Sequence, residues 1–241
     1  MSRTDKLESI SAGSTPARLG VGRSGTRPET GSWLSFRRDH AVARDAVSSE
    51  LGAGFLEDFA RARGYPVVRS LATDRRDYVL NPPKGKRISK DDLASLKAQC
   101  PTGRDVQIVI ADGLSAQAVE TNVPDLLPIL ESGLELEGIS YGIPVVVRFG
   151  RVAVGDQIAH ALGARLAVNL IGERPGLSSG VGLSAYITLA AGPATISSHR
   201  TVVSNIQSRG TPPAEAGAYI VHLVKEIFAH GVSGVDLQKI L

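Results

Sequence analysis

The sequence predicts an α/β fold, with a mostly parallel, Rossmann-like sheet covered by helices in its C-terminal part and a smaller, mainly helical N-terminal region before it. Three observations carry this expectation. From Asp105 onward, short β-like runs alternate with helical stretches, the pattern of parallel strands joined by crossover helices. The runs at 106–110, 144–149 and 166–171 are rich in Val, Ile and Leu without polar alternation, as strands buried on both faces require. Before Asp105 the β candidates are brief and helical spacing dominates. The expected divisions are a flexible tail over 1–19, a mainly helical region over 20–104 and an α/β domain over 105–241.

The elements follow in order. Residues 1–18 are polar and lack the apolar core of a secretory signal. Gly20-Val21-Gly22-Arg23-Ser24-Gly25 spells G-x-G-x-x-G, but a dinucleotide fingerprint needs a strand before it and an apolar helix starting at its last glycine. Both flanks here read as loop, so an ordered arginine-bearing loop is expected. Residues 31–63 read as helical, with Trp33, Leu34, Val42, Ala46, Val47 and Leu51 recurring near helical spacing and a break at Gly52 and Gly54. Val67-Val68 and Tyr78-Val79-Leu80 are short β candidates. Ser89, followed by Asp91 and Asp92, is an N-cap opening a helix through about Lys97. After the strand at 106–110 comes a helical stretch through Leu130. The strand at 144–149 leads to a helix carrying Ile158, Ala159 and Leu162; 166–171 is a third strand and 186–189 a fourth. Pro212 and Pro213 open a last helix, where proline is tolerated in the first turn, with Ile220, Val221, Val224 and Ile227 as its apolar stripe.

The bulk numbers exclude several classes. The chain has 241 residues, 42% apolar and 21% charged, with a net charge of +3 and a pI near 9.1. Residues 1–110 carry a balance of +6 and the remainder −3. The basic residues are scattered and lack interleaved aromatics, which favours a solvated surface or protein docking over nucleic-acid binding. A lone Cys100 excludes an intrachain disulfide and a cysteine-cluster metal site, and points to a reduced intracellular compartment. No stretch approaches the roughly 18 apolar residues that span a membrane, because Arg148, Arg151 and Asp156 interrupt the most hydrophobic region.

Familiar catalytic sets are also missing. Gly176-Leu177-Ser178-Ser179-Gly180 matches G-x-S-x-G, yet a nucleophile elbow runs straight from strand into serine and on into helix. Here 172–176 intervene and the next element reads as a strand. The histidines at 40, 160, 199, 222 and 230 form no tightly spaced metal-ligand pair, and there is no P-loop. His40 beside Asp39 suits a contact on a charged helix face better than a catalytic base. What stands out instead is Glu173, a carboxylate leaving a buried strand before the stiff Pro175-Gly176 turn, at the strand ends where open α/β sheets hold ligands. On the residues alone, an arginine partner or a helix cap is as good an account of Glu173 as a ligand.

Read together, the phrases resemble the small (light) subunit family of ethanolamine ammonia-lyase. They are Gly22-Arg23-Ser24-Gly25-Thr26-Arg27-Pro28, Asp39-His40, Asp45-Ala46-Val47, Leu96-Lys97-Ala98-Gln99-Cys100, Asp112-Gly113-Leu114-Ser115, Val147-Arg148-Phe149-Gly150-Arg151-Val152, Gly172-Glu173-Arg174-Pro175-Gly176-Leu177, Ser204-Asn205-Ile206, Gly210-Thr211-Pro212-Pro213 and Glu215-Ala216. The resemblance implies a carbon–nitrogen lyase that converts ethanolamine to acetaldehyde and ammonia with adenosylcobalamin. A large subunit would hold ethanolamine and steer the reaction, and this chain would contribute cofactor contacts from its 105–241 domain but no catalytic residue and no metal ligand. The family's cobalamin contacts match Val152, Glu173 and Val202, the last a position where relatives often carry cysteine. The resemblance places the assembly in the cytoplasm, either free or in a bacterial microcompartment, with no nucleic-acid or membrane partner. The alternative from another class is a non-catalytic α/β nucleotide-binding or regulatory module. A subunit built to cover a partner exposes a large apolar patch, whereas the module would bind nucleotide at the Gly20 loop.

Overall fold

A computed structural model describes residues 21–177 and 179–241. The expected tail over 1–19 and Ser178 of the G-x-S-x-G phrase lie outside them.

The G-x-G-x-x-G phrase ends in a hairpin. Strand β1 (Arg23–Ser24) pairs antiparallel with β2 (Arg27–Pro28), and Gly25, at φ +64°, sits at the tip. A tip glycine cannot open a helix N-terminus toward a pyrophosphate, so the dinucleotide reading falls. The flank after Pro28, expected to be loop, enters helix α1 (Thr30–Ser48) almost at once. Along α1 only Ala46 is buried. Trp33, Leu34 and Val42, which share helical spacing, stay 49–57% exposed, and Trp33 stacks on Phe36 with ring centroids 5.8 Å apart. A π-helical turn (Phe55–Ala60) and a 3₁₀ turn (Arg61–Arg63) follow, and Gly64 closes them in the left-handed conformation.

Strand β3 (Val67–Arg69) leads to α2 (Arg75–Leu80), so the β candidate at 78–80 is corrected to helix. The Asp74 carboxylate caps α2 by accepting from the Asp77 N–H at 2.8 Å, which outweighs the β preference of Tyr78 and Val79. Helix α3 (Lys90–Gln99) begins at Ser89, as expected, with the Ser89 hydroxyl accepting from the Asp92 N–H. Strand β4 (Val106–Ala111) then feeds α4 (Ala116–Leu136), β5 (Val145–Arg148), α5 (Val152–Ala161) and β6 (Leu166–Gly172). Strands β7 (Leu183–Leu189) and β8 (Arg200–Ile206) precede α6 (Pro213–His230) and the short α7 (Val235–Gln238). Helix α4 runs past Leu130 despite Pro124 and Pro128, because Val119, Val123, Leu126, Leu127, Leu130 and Leu134 form one buried stripe.

The six-stranded sheet has the order β3-β5-β4-β6-β7-β8. The first four strands are parallel and the last two antiparallel. This is the expected mostly parallel α/β sheet, with one strand (β8) that the sequence reading did not assign. Alternation along β4 sends Ile108 and Ile110 to one face and Val109 and Ala111 to the other, all fully buried. The larger core lies under α4 and α6, where Leu126, Leu130, Ile220 and Val224 meet Val168, Leu170, Ala185 and Ile187. Each such Leu, Ile or Val removed from water contributes about 1.5–3 kcal/mol. The smaller core lies under α5 and α3, built from Ile158, Leu162 and Leu96 against Val145, Val147 and Ile171.

Candidate functional site

Helices were expected to cover the sheet on both faces, and across β7 and β8 they cover only one. The reason is topological. Parallel neighbours need a long crossover, usually a helix that lands on the sheet, whereas antiparallel neighbours need only a loop. Among their described residues, the connections at 173–182 and 190–199 contain no helix beyond the 3₁₀ turn Ser197–His199. The α4–α6 layer therefore backs β7 and β8, while the α5 layer stops at β6. On this side lie Ser184, Tyr186 and Thr188 of β7 and Arg200 and Val202 of β8; Ser184 and Thr188 are buried, Arg200 folds onto α5, Tyr186 is half-buried and Val202 is exposed.

The three residues singled out from the sequence border this bare face. Asn169, Tyr186 and Val202 form one row across β6, β7 and β8. At the α5 end of the row the Asn169 amide donates to the Val152 carbonyl at 2.9 Å, and Val152 is the first residue of α5. At the other end Val202 is 44% exposed. Two strand spacings, about 10 Å, separate Asn169 from Val202. Glu173 stands four residues beyond Asn169 at the carboxyl end of β6, about 13 Å along the strand and on the same face by alternation.

Glu173 has no ion pair among the described residues. Its Oε1 accepts from the Ser184 hydroxyl at 2.6 Å and from the Asn205 N–H at 2.7 Å. Asn205 holds φ +56° at an irregularity in the β7–β8 pairing, where Leu183 opposes Ile206 but Ala185 opposes Val203. A non-glycine residue in that conformation is strained, and the carboxylate holds its amide in place. The other oxygen, Oε2, lies against Gly182 and has no hydrogen-bond partner among the described residues. Of the accounts open from the residues, neither an arginine partner nor a helix cap is found among the described residues; the carboxylate instead ties β6 to β7 and β8, and one oxygen is left over.

Beside the bare face lies a cavity of about 830 Å³ between α5 and the 190–200 loop, lined by Lys86, Arg87, Arg151, Val152, His160 and Arg200 among others. The sequence assigned neither Arg151 nor Arg200 to a site; with about 50 residues between them, only the fold brings them together. Arg200 reaches from β8 to the Asp156 carboxylate on α5, with 10% and 7% of the two side chains exposed. Arg151 is held by Tyr78, whose ring lies 4.3 Å below its guanidinium carbon and whose carbonyl accepts from it at 3.3 Å. Gly85 completes the seat, since a Cβ there would stand 2.7 Å from the Arg151 Cγ.

On its other edge the Tyr78 ring carries Arg75, 4.9 Å from the guanidinium carbon, and Arg75 lies 3.7 Å from the fully buried Asp112. Burial pushes the Asp112 carboxyl up to about 6, against the pull of the Phe149 and Gly150 amides and of Arg75. Its Oδ1 accepts from the Gly150 N–H at 3.0 Å. These contacts pin the β5–α5 turn, where Phe149 takes φ +58°.

Several other polar side chains pair among themselves. His222 and His230 pair with Glu226 on α6 at 3.9 and 3.4 Å, and Ser179 donates to Gln207. Asp39 pairs with Arg38 on α1. Among the described residues no three His, Cys, Asp or Glu side chains gather as a metal site, and no helix is long and apolar enough to cross a membrane.

The fold and site thus define an open α/β protein with a bare, ligand-sized patch on its sheet and a basic cavity beside it. The sequence model of the family "Ethanolamine ammonia-lyase light chain" matches residues 4–238. The curated protein "Ethanolamine ammonia-lyase small subunit" of Fusobacterium nucleatum is 43% identical over 224 residues, covering 93% of this chain and 75% of the relative. The chain belongs to the ethanolamine ammonia-lyase light-chain family, and it is the small subunit of a carbon–nitrogen lyase.

Proposed function

We propose that the bare face of β7 and β8 is one wall of an adenosylcobalamin site, closed by a large subunit that holds ethanolamine and converts it to acetaldehyde and ammonia. The observation that carries this reading is the footprint bordered by Val152, Glu173 and Val202, about 10 by 13 Å. A two-carbon amino alcohol would leave most of it uncovered, whereas a broad, flat cofactor matches it. Its chemistry also suits such a group. Val202 and the half-buried Tyr186 offer apolar contact, and the unpartnered Oε2 of Glu173 can accept from an amide N–H.

When bound, adenosylcobalamin supplies the cobalt–carbon bond whose homolysis starts the reaction; this chain supplies position and exclusion of water. Val152 and Val202 would seat the cofactor against the sheet, and Glu173 would fix its rotation. Val202 suits packing or a backbone contact, which survives where relatives carry cysteine; a thiol-specific role would not.

The test is reconstitution with the matching large subunit. The isolated chain should release no ammonia from ethanolamine, and the mixture with adenosylcobalamin should. In the assembled enzyme, hydroxocobalamin should slow amide hydrogen exchange in β8 and the first turn of α5. Turnover by the isolated chain, or exchange there that the cofactor leaves unchanged, would overturn the reading.

A further inference from the structure

We propose that the cavity between α5 and the 190–200 loop is an anion site that takes a phosphate ester. Four observations converge on it. Lys86, Arg87, Arg151 and Arg200 all line it, and Asp156 is the acidic residue among its lining. That carboxylate is already matched by Arg200, so the three other cations leave a net positive wall. Helix α5 starts at the cavity with no side-chain cap, and the amides of Val152 and Ala153 have no acceptor within the helix. A ten-residue helix presenting free N–H groups favours an anion at that end.

The fourth observation is independent of the helix. The Nε atoms of Arg151 and Arg200 are buried and have no hydrogen-bond partner, although both side chains are otherwise engaged. Solvent in the cavity does not reach either atom, so a small shift of the side chain toward a bound oxyanion would give each the acceptor it lacks. Arg151 is also held in advance by Tyr78 and Gly85, so little side-chain freedom is lost on binding. Tetrahedral oxyanions suit this set because guanidinium N–H groups and helix amides can share their oxygens.

The inference stands on the cavity alone. Because Val152 belongs both to this cavity and to the border of the bare sheet face, the phosphate has two sources: a phosphodiester on the ligand of that face, or a free phosphate ester. The probe is inorganic phosphate titrated into the assembled enzyme by calorimetry at low salt. Saturable binding is expected, and Arg151→Gln should weaken it about tenfold, or about 1.4 kcal/mol. Because Arg151 also packs on Tyr78, the exposed Arg87→Gln serves as a variant that should fold normally; it should weaken binding about threefold. Competition with cyanocobalamin, but not with cobinamide, which lacks the nucleotide phosphodiester, would identify the first source. Binding unaffected by either corrinoid would identify a free phosphate ester. No saturable binding, or binding indifferent to both substitutions, would overturn the proposal, whatever the fate of the cofactor reading.

Discussion

Glu173 performs two tasks with two oxygens, and they can be separated by substitution. Oε1 ties the end of β6 to Ser184 and to the strained Asn205, while Oε2 is free. Glu173→Gln can keep a carbonyl toward both donors and replaces the free acceptor by a donor. Stability should therefore fall by less than about 1 kcal/mol, while the adenosylcobalamin concentration for half-maximal ammonia release rises roughly 10- to 150-fold. Glu173→Ala removes both tasks and should also lower unfolding stability by about 2 kcal/mol in urea. Unchanged cofactor response in a well-folded Glu173→Gln enzyme would sink the ligand role. The sequence showed Glu173 at a strand end but not its partners, because Ser184 and Asn205 belong to strands whose direction the residues do not encode locally.

At the scale of elements, the helix starts show how much a short phrase can say. Ser89 announces α3 through its acidic first turn, whereas the Asp74 cap of α2 goes unread and 78–80 reads as a strand. Ser115 is a cap of a different kind. Its hydroxyl accepts from the Ala118 N–H at 3.1 Å and donates to the Gly180 carbonyl at 2.6 Å, fully buried. Ser115→Ala should thus cost about 2 kcal/mol, against about 1 kcal/mol for the half-buried Ser89→Ala, by urea unfolding. The Ser89 hydroxyl also donates, to the Asp92 carboxylate at 2.7 Å, so equal losses would show that full burial of the Gly180 bond adds nothing. Strand β8 was missed because its exposure alternates around Arg200, Val202 and Ser204, whereas the reading looked for continuously apolar runs. The apolar spacing of α1 was legible, but spacing does not say whether the packing surface belongs to the same chain.

For the molecule as a whole, the buried Asp112 gives stability a distinctive pH dependence. Its folded carboxyl, near 6, stands above the unfolded value of 3.8, so folding favours the protonated form. That contribution is complete below about pH 4 and disappears as pH rises through 6, a loss of up to roughly 3 kcal/mol. Subtracting the unfolding free energy of Asp112→Asn from that of the wild type should give a difference that falls with pH between 4.5 and 7.5. A flat difference would show that Asp112 is ionised throughout. Asp77 and Asp105, held low by Lys84 and by Ser140 respectively, run in the opposite direction and cancel in the subtraction. The overall class was readable because alternating strands and helices repeat a local pattern. The basic cavity was not, since Arg87, Arg151 and Arg200 meet only through the sheet order.

The reversal of direction after β6 also sets a schedule for synthesis. The chain emerges from the ribosome N-terminus first, so the parallel strands can pair before β7 and β8 exist. When those two strands appear, α4 is already there to back β7, but α6 has yet to be translated, and for that interval β8 lacks its covering helix. Completion of α6 shields one side only. Under the proposed function the last nascent-chain hazard would be removed by the large subunit rather than by further folding, and matched production of the two subunits would then govern yield as well as turnover.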